Sequence, residues 1–380
     1  MITQAIPPSE YHARLTIIKN RVRELGYSGL LAVSGYAERD GNVCYLCGHK
    51  NAFPYSIRTE AISGLGYSAF LVPIEGQTTL VVPLGYQPEA VVGVDKSATG
   101  TNMESELIKS LKDSFQGDAS LALVGGDILP ATYLDQVRRA LPQVSMEFCD
   151  ELIAEQRMVK SENELKLIKA ASKIADEAVW TAIDSLKPGM TESAMGSVAR
   201  KSAMAAGADY VVRDRVQSGP EIRKGIRWPF ASKRKMRKGE LVSIDFVGWV
   251  NSYGFDILRM GCVGRPGTKQ RMLIELAGQA TSAMSDSLRD NTDVSKTFTR
   301  LKDLETSGIE LSPFGHGIGL EIVEAPFLLP GATGKIKRNM VFCVEPHVRS
   351  AKESACIENE VIVTSGKPQT ITKLPVDFWK

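Results

Sequence analysis

The sequence predicts an α/β domain of about 150 residues followed by an α+β domain, and three observations carry that prediction. Short apolar runs alternate with helical stretches over residues 1–158. A capping box, Ser161 with Glu164, then opens a long amphipathic period and marks a boundary near Val159. In the remainder, 159–380, two pairs of apolar strands each carry two acidic residues at matched positions. The chain has 380 residues of which 43% are apolar, ample for two cores.

Residues Tyr11 to Leu25 carry helical periodicity, and Gly26 ends that helix. The runs GLLAVS, NVCYLCG, SAFLVPI and TTLVVP, bounded by Gly, Pro and charged residues, read as strands. Cys44 and Cys47 therefore fall in a buried strand, since no second Cys pair or His cluster completes a redox or zinc motif. Helices follow from Met103 to Phe115 and Ala131 to Leu141, with SLALVGG and SMEFCD as further strands. No phosphate-cradling glycine motif occurs, and Gly48 to Glu60 is too polar and irregular for a core element. In the second domain Leu165, Ile168, Ala171, Ala175, Ala178 and Ile183 keep helical spacing until Lys187-Pro188-Gly189. Thr191 caps the next helix, to about Ala206, and a strand from Val211 to Ser218 leads into the loop SGPEIRKGIRWPF. The following basic cluster, KRKMRKGE, reads as a solvated turn.

Leu241 to Trp249 and Ser252 to Val263 then read as a hairpin. A turn centred on Val250 and Asn251 sets Asp245 opposite Asp256, with Cβ atoms about 5 Å apart. Met340 to Val348 and Ala355 to Thr364 form a second hairpin, whose turn at Ala351 and Lys352 sets Glu345 opposite Glu358. Carboxylates this close repel unless one is protonated or a cation lies between them. His316, in the Gly-rich FGHGIGLE, stands in the chain between the hairpins. Two Asp, two Glu and one His beside apolar strands indicate a dinuclear metal site with room for a bridging hydroxide. Carboxylate-rich ligation suits two divalent ions such as Mn, Fe, Co or Zn. Glu345 is positioned to take a proton from water and return it to a leaving amine.

The segments KGELVSIDFVGWVNSYGFDILR, PFGHGIGLEIVEAP, MVFCVEP and CIENEVIVT resemble, in order and spacing, the pita-bread metalloenzymes. That family comprises methionine aminopeptidase, Xaa-Pro aminopeptidase, Xaa-Pro dipeptidase and creatinase. The first half is more loosely similar to the creatinase-type amino-terminal domain. The resemblance implies that Asp245 holds one metal, that His316 and Glu345 hold the other, and that Asp256 and Glu358 bridge them. It also implies a homodimer in which the first domain reaches over the partner's site, making Tyr55 and Arg58 candidate substrate contacts. In the family the loop after SGP enters the active site, which adds Arg223, Arg227 and Trp228.

Two departures qualify the peptidase activity. Peptidases of this family hold a second His where this chain has Val323, and another in the loop where it has Ile226. His347, two residues beyond Glu345, offers a partial substitute on the same strand. The expected activity is hydrolysis of a C–N bond in a small, carboxylate-bearing or dipeptide-like substrate. The alternatives are an Xaa-Pro peptidase with reassigned histidine roles and a lyase or non-catalytic relative. A net charge of +2 argues against nucleic acid as a partner. With no leader-like start, no long apolar run and six scattered cysteines, a cytoplasmic protein with no membrane association is expected.

Overall fold

In the computed structural model, which describes residues 6–36, 38–51, 55–59, 61–83 and 91–378, the chain divides into two units, Ile6–Arg157 and Met158–Lys380. The first has strands β1 (Gly29–Ser34), β2 (Ile57–Arg58), β3 (Ser63–Leu65), β4 (Ser68–Pro73), β5 (Thr79–Pro83), β6 (Lys96–Gly100), β7 (Ala119–Val124) and β8 (Val144–Phe148). Six of them form one mixed sheet in the order β6-β5-β4-β1-β7-β8. Helices α1 (Pro8–Glu24), α2 (Gly41–Cys47), α3 (Met103–Ser114), α4 (Ala131–Ala140) and α5 (Glu151–Met158) complete the elements up to the boundary. One core joins Leu31, Val33 and Leu123 of the sheet to Leu107 and Leu111 of α3.

Cys44 and Cys47 depart from expectation, because NVCYLC is the helix α2 and not a strand. All seven of its residues are buried, so its apolar run carries no period that separates helix from strand. Gly48, at φ 80°, closes the helix in the left-handed region. Part of the polar segment beginning at Gly48, residues 52–54 and 60, lies outside the described residues.

The second unit begins with α6 (Glu162–Asp184), whose Ser161–Glu164 capping box is formed, and α7 (Glu192–Ala205), capped by Thr191. Strands β9 (Tyr210–Ser218), β10 (Leu241–Val250) and β11 (Tyr253–Cys262) make a three-stranded sheet with β10 in the centre. One face of that sheet, with Val216, Val242, Ile244, Phe246 and Ile257, packs on the alanine-rich faces of α6 and α7. Small residues such as Ala171, Ala175, Ala178 and Ala199 let the helices come close. The opposite face carries Arg213, Arg215, Asp245 and Asp256. Helix α8 (Thr268–Asp286) follows, then β12 (Ile309–Ser312), β13 (Gly315–Gly317), β14 (Glu324–Phe327), β15 (Val341–Val344), β16 (His347–Ser350), β17 (Ser354–Cys356), β18 (Asn359–Ile362) and β19 (Gln369–Thr370). These form a five-stranded sheet, β14-β13-β15-β18-β19, and a three-stranded one, β12-β16-β17.

The first hairpin turns one residue later than expected. Its loop is Asn251 and Ser252, at φ 49° and 69°, so Val250 pairs with Tyr253. Both loop positions of such a turn need positive φ, which Asn tolerates and β-branched Val250 does not. Asp245 consequently faces Leu258, and Asp256 faces Val247. The shift is even, so both aspartates keep one face as diagonal neighbours. In the second hairpin, Val344 pairs with Asn359 and His347 with Cys356, so the register continues across Glu345 and Glu358. Each strand is nevertheless split there. Pro346 offers no N–H to a ladder, and the chain passes from the five-stranded sheet to the three-stranded one at that point.

The turn generates a stability prediction. Ser252→Val should destabilise the second unit by about 1–2 kcal/mol, since a β-branched residue is a steric outlier at positive φ. Ser252→Gly should cost nothing measurable, and chemical denaturation of the two variants checks the difference.

Candidate metal centre

Five elements bring their side chains together in the interior of the second unit. Asp245 comes from β10, Asp256 from β11, His316 from β13, Glu345 follows β15 and Glu358 precedes β18. Asp245, Asp256 and Glu358 each offer an oxygen within 4.8 Å of the others. His316 Nε2 lies 3.7 Å from Glu345 Oε1, 3.9 Å from Asp256 Oδ2 and 4.0 Å from Glu358 Oε1. Its Nδ1 is 2.9 Å from the Gly317 carbonyl, an acceptor only, so Nδ1 carries the proton and Nε2 is turned to the carboxylates.

Close backbone approach places this imidazole. A Cβ on Gly315 would meet Cys343 O at 2.6 Å, and one on Gly317 would meet Ala325 O at 2.6 Å. The segment is pinned to the aspartate hairpin by the Trp249 indole N–H, which donates to Leu320 O at 2.9 Å, and by Gly254 N, which donates to Gly319 O at 2.7 Å. Behind the ligand candidates, Glu360 accepts from Ser172 Oγ and from the backbone N of Asp256. The buried Arg259 donates to Glu358 O and, at 2.8 Å, to Asn359 Oδ1.

Confinement raises the affinity of these acids for protons. Burial, then the neighbouring carboxylates, push Asp256 and Glu358 well above the usual carboxylate range. Burial first, then the charge of Asp245, lifts Glu345 to about 8. Glu360 also rises to about 8 through burial, against the hydrogen bond from Ser172. Burial lowers His316 and keeps its imidazole neutral, the form that ligates a metal. Asp245 Oδ1 and Glu358 Oε1 are buried without a hydrogen-bond partner among the described residues. Orphaned carboxylate oxygens beside a neutral imidazole fit a site for divalent cations.

The remaining candidates sit in different settings. Arg227 gives its fork to Glu192 and Glu221, and Glu192 also accepts from Ser218 and Ser232, so this side chain ties the loop to the first turn of α7. Arg223 reaches Ala351 O at 2.8 Å, and Trp228 is 84% exposed. Ile226 and Val323 are both exposed. His347 groups with Glu345 and Cys356, and burial, then Arg349, lower it to about 4. In the first unit, Tyr55 is exposed and Arg58 hydrogen-bonds Thr132.

Four residues beside the acids escaped the sequence reading. Cys343 groups with His316 and Glu358, and Cys356 with Glu345 and His347. Arg215 pairs with Asp245 Oδ2, and Arg213 stands 3.9 Å from the same oxygen. Strand alternation is the signal that could have found them. Each cysteine lies two residues before a glutamate, and the two arginines lie two residues apart on the strand beside β10.

Comparisons with known proteins bear on the family and the fold. The chain matches metallopeptidase family M24 over residues 166–365 and the Creatinase/Prolidase N-terminal domain over residues 14–159. It is 24% identical over 294 residues to an Xaa-Pro dipeptidase of Pyrococcus horikoshii, spanning 76% of this chain and 83% of that protein. A probable dipeptidase of Mycobacterium tuberculosis, PepE, is 25% identical over 386 residues, 96% of this chain and 95% of its own length. Among solved structures, an X-Pro aminopeptidase from Thermotoga maritima superposes with a TM-score of 0.79 at 22% identity, covering 95% of this chain and 98% of the other.

The electrostatics set a pH dependence for the metal-free protein. Glu345 and Glu360 bind protons in the fold up to about pH 8, well above an ordinary glutamate. Their contribution to stability is therefore complete at low pH and is lost as pH rises through about 8. Chelated protein should lose roughly 5 °C in Tm between pH 6 and pH 9, and saturating divalent cation should restore it. Calorimetry reads this, and a Tm that rises over the same interval would contradict it.

Proposed function

The chain belongs to metallopeptidase family M24, and on that footing we propose that it is a dinuclear metal-dependent hydrolase of a C–N bond, amide or peptide, in a small substrate. The observation that carries the reading is the convergence of Asp245, Asp256, His316, Glu345 and Glu358, with two buried carboxylate oxygens left without partners among the described residues. Asp245 would hold one ion, His316 and Glu345 the other, and Asp256 and Glu358 would bridge them. Divalent ions held there would lower the pKa of a coordinated water and polarise the scissile carbonyl.

The chain's own groups supply the rest. Glu345 Oε1, 3.7 Å from His316 Nε2, is placed to accept a proton from water and to pass it to the leaving nitrogen. His316 stays neutral and oriented through its bond to Gly317 O. Glu360 and Arg259 hold the backbone of Asp256 and Glu358, which keeps the acids in place against their repulsion.

A second reading, an Xaa-Pro dipeptidase, is favoured by the names of the relatives. Against it stand Ile226 and Val323, where peptidases of the family carry histidines. Assay of an Xaa-Pro dipeptide beside simple N-acyl amino acids separates the two. The proposal extends to a cytoplasmic homodimer with Mn, Fe, Co or Zn. Six free cysteines suit a reducing compartment, and no helix among the described residues is long and apolar enough to cross a membrane. The dimer rests on the family resemblance.

Two outcomes are expected. Purified protein should contain close to two divalent ions per chain, and Asp256→Ala should lose both metal and activity, because a bridging ligand serves both ions. Elemental analysis decides it, and full metal content in the variant would refute the assignment. Light scattering should give about twice the 41.4 kDa chain mass, and a mass equal to one chain at micromolar concentration would refute the dimer.

A further inference from the structure

Arg215 lies directly across from Asp245, and Arg213 across from Val247, which in turn faces Asp256. Directly opposed residues share a face of a sheet. The two arginines and two aspartates thus occupy one side of β9, β10 and β11. Arg215 Nη2 engages Asp245 Oδ2, yet its buried Nε has no hydrogen-bond partner among the described residues. The Arg215 side chain is 11% exposed and that of Arg213 is 22% exposed, so Arg213 is the more open of the two to solvent. The mechanism above uses neither.

We propose that Arg213 and Arg215 form an anion-binding subsite beside the metal centre, and that it takes a carboxylate of the substrate. This rests on the hydrolase reading. Two divalent ions would balance the four carboxylates, and the two guanidiniums would then leave the centre with a net positive charge. Such a site attracts an anionic group and repels an ammonium. A guanidinium is a planar fork matched to a carboxylate, and the Arg215 Nε–H has no partner among the described residues.

Orientation of Asp245 by Arg215 is a competing role. It does not require Arg213, which stands 3.9 Å from that carboxylate, at ion-pair and not hydrogen-bond distance. Nor do the loop arginines offer an equivalent. Arg227 is held by Glu192 and Glu221, and Arg223 reaches the Ala351 carbonyl.

The test is a calorimetric titration of the metal-loaded full-length protein with N-acetylglycine, whose only charge is its carboxylate, and with N-acetylglycinamide, which has none. Metal content and thermal stability are measured on the same samples of wild type, Arg213→Gln, Arg215→Gln and the milder Arg213→Lys and Arg215→Lys. The expected result is carboxylate binding at least tenfold tighter than amide binding in the wild type. Either Gln variant should lose tenfold or more at full metal content, and the Lys variants should fall between. Equal affinity for acid and amide, or variants that bind like the wild type, would overturn the subsite. Metal loss from Arg215→Gln and Arg215→Lys alike would overturn it in favour of a positioning role for Asp245. A wild type that holds no metal would overturn the hydrolase reading and this one with it. Full metal content together with carboxylate affinity that does not depend on either arginine would overturn the subsite alone.

Discussion

Mutual repulsion among four carboxylates shut away from water is the constraint under which the second unit is built. Asp245, Asp256 and Glu358 are almost fully buried, with oxygens of all three within 4.8 Å of one another. In such surroundings like charges are far costlier than at a surface, so the acids must bind protons or cations. A structure that keeps them together in spite of this stores a demand for positive charge. The raised proton affinities of Asp256, Glu345 and Glu358 express that demand in the absence of a metal.

The scaffold meets the demand for rigidity by giving each acid a different neighbour to lean on. Backbone N–H groups of Glu345 and Glu358 donate to Phe314 O and Leu258 O, so loop positions at the sheet crossover stay fixed. Glu360 bonds the Asp256 backbone and Arg259 bonds that of Glu358, which joins the two hairpins behind the pocket. Alanine-rich helices close on the reverse of the aspartate sheet and leave its other face to the chemistry. Glu192, fully buried, gathers Ser218, Arg227 and Ser232 and sets the loop that follows β9.

The same sheet face that holds the aspartates also supplies cations of its own. Arg213 and Arg215 reach it because β9 pairs with β10, not because of any local motif. They add two guanidiniums to the face that carries Asp245 and Asp256.

Much of this was legible in the chain. The acids stand out because a carboxylate inside an apolar strand needs a reason, and Asp245, Asp256, Glu345 and Glu358 occur as spaced pairs with His316 among glycines that permit close packing. Capping signals at Ser161 and Thr191 are local hydrogen bonds, so they too could be read directly. The helix at Cys44 and Cys47 could not, since burial on every side removes the period that distinguishes helix from strand. The turn at Asn251 and Ser252, the crossover at Pro346 and the approach of Arg213 and Arg215 to Asp245 likewise awaited the fold. Sequence states which side chains are available and which face of a strand they share. Register, and the choice of neighbouring strand, depend on turn geometry and on contacts between residues far apart in the chain, and no local pattern encodes those.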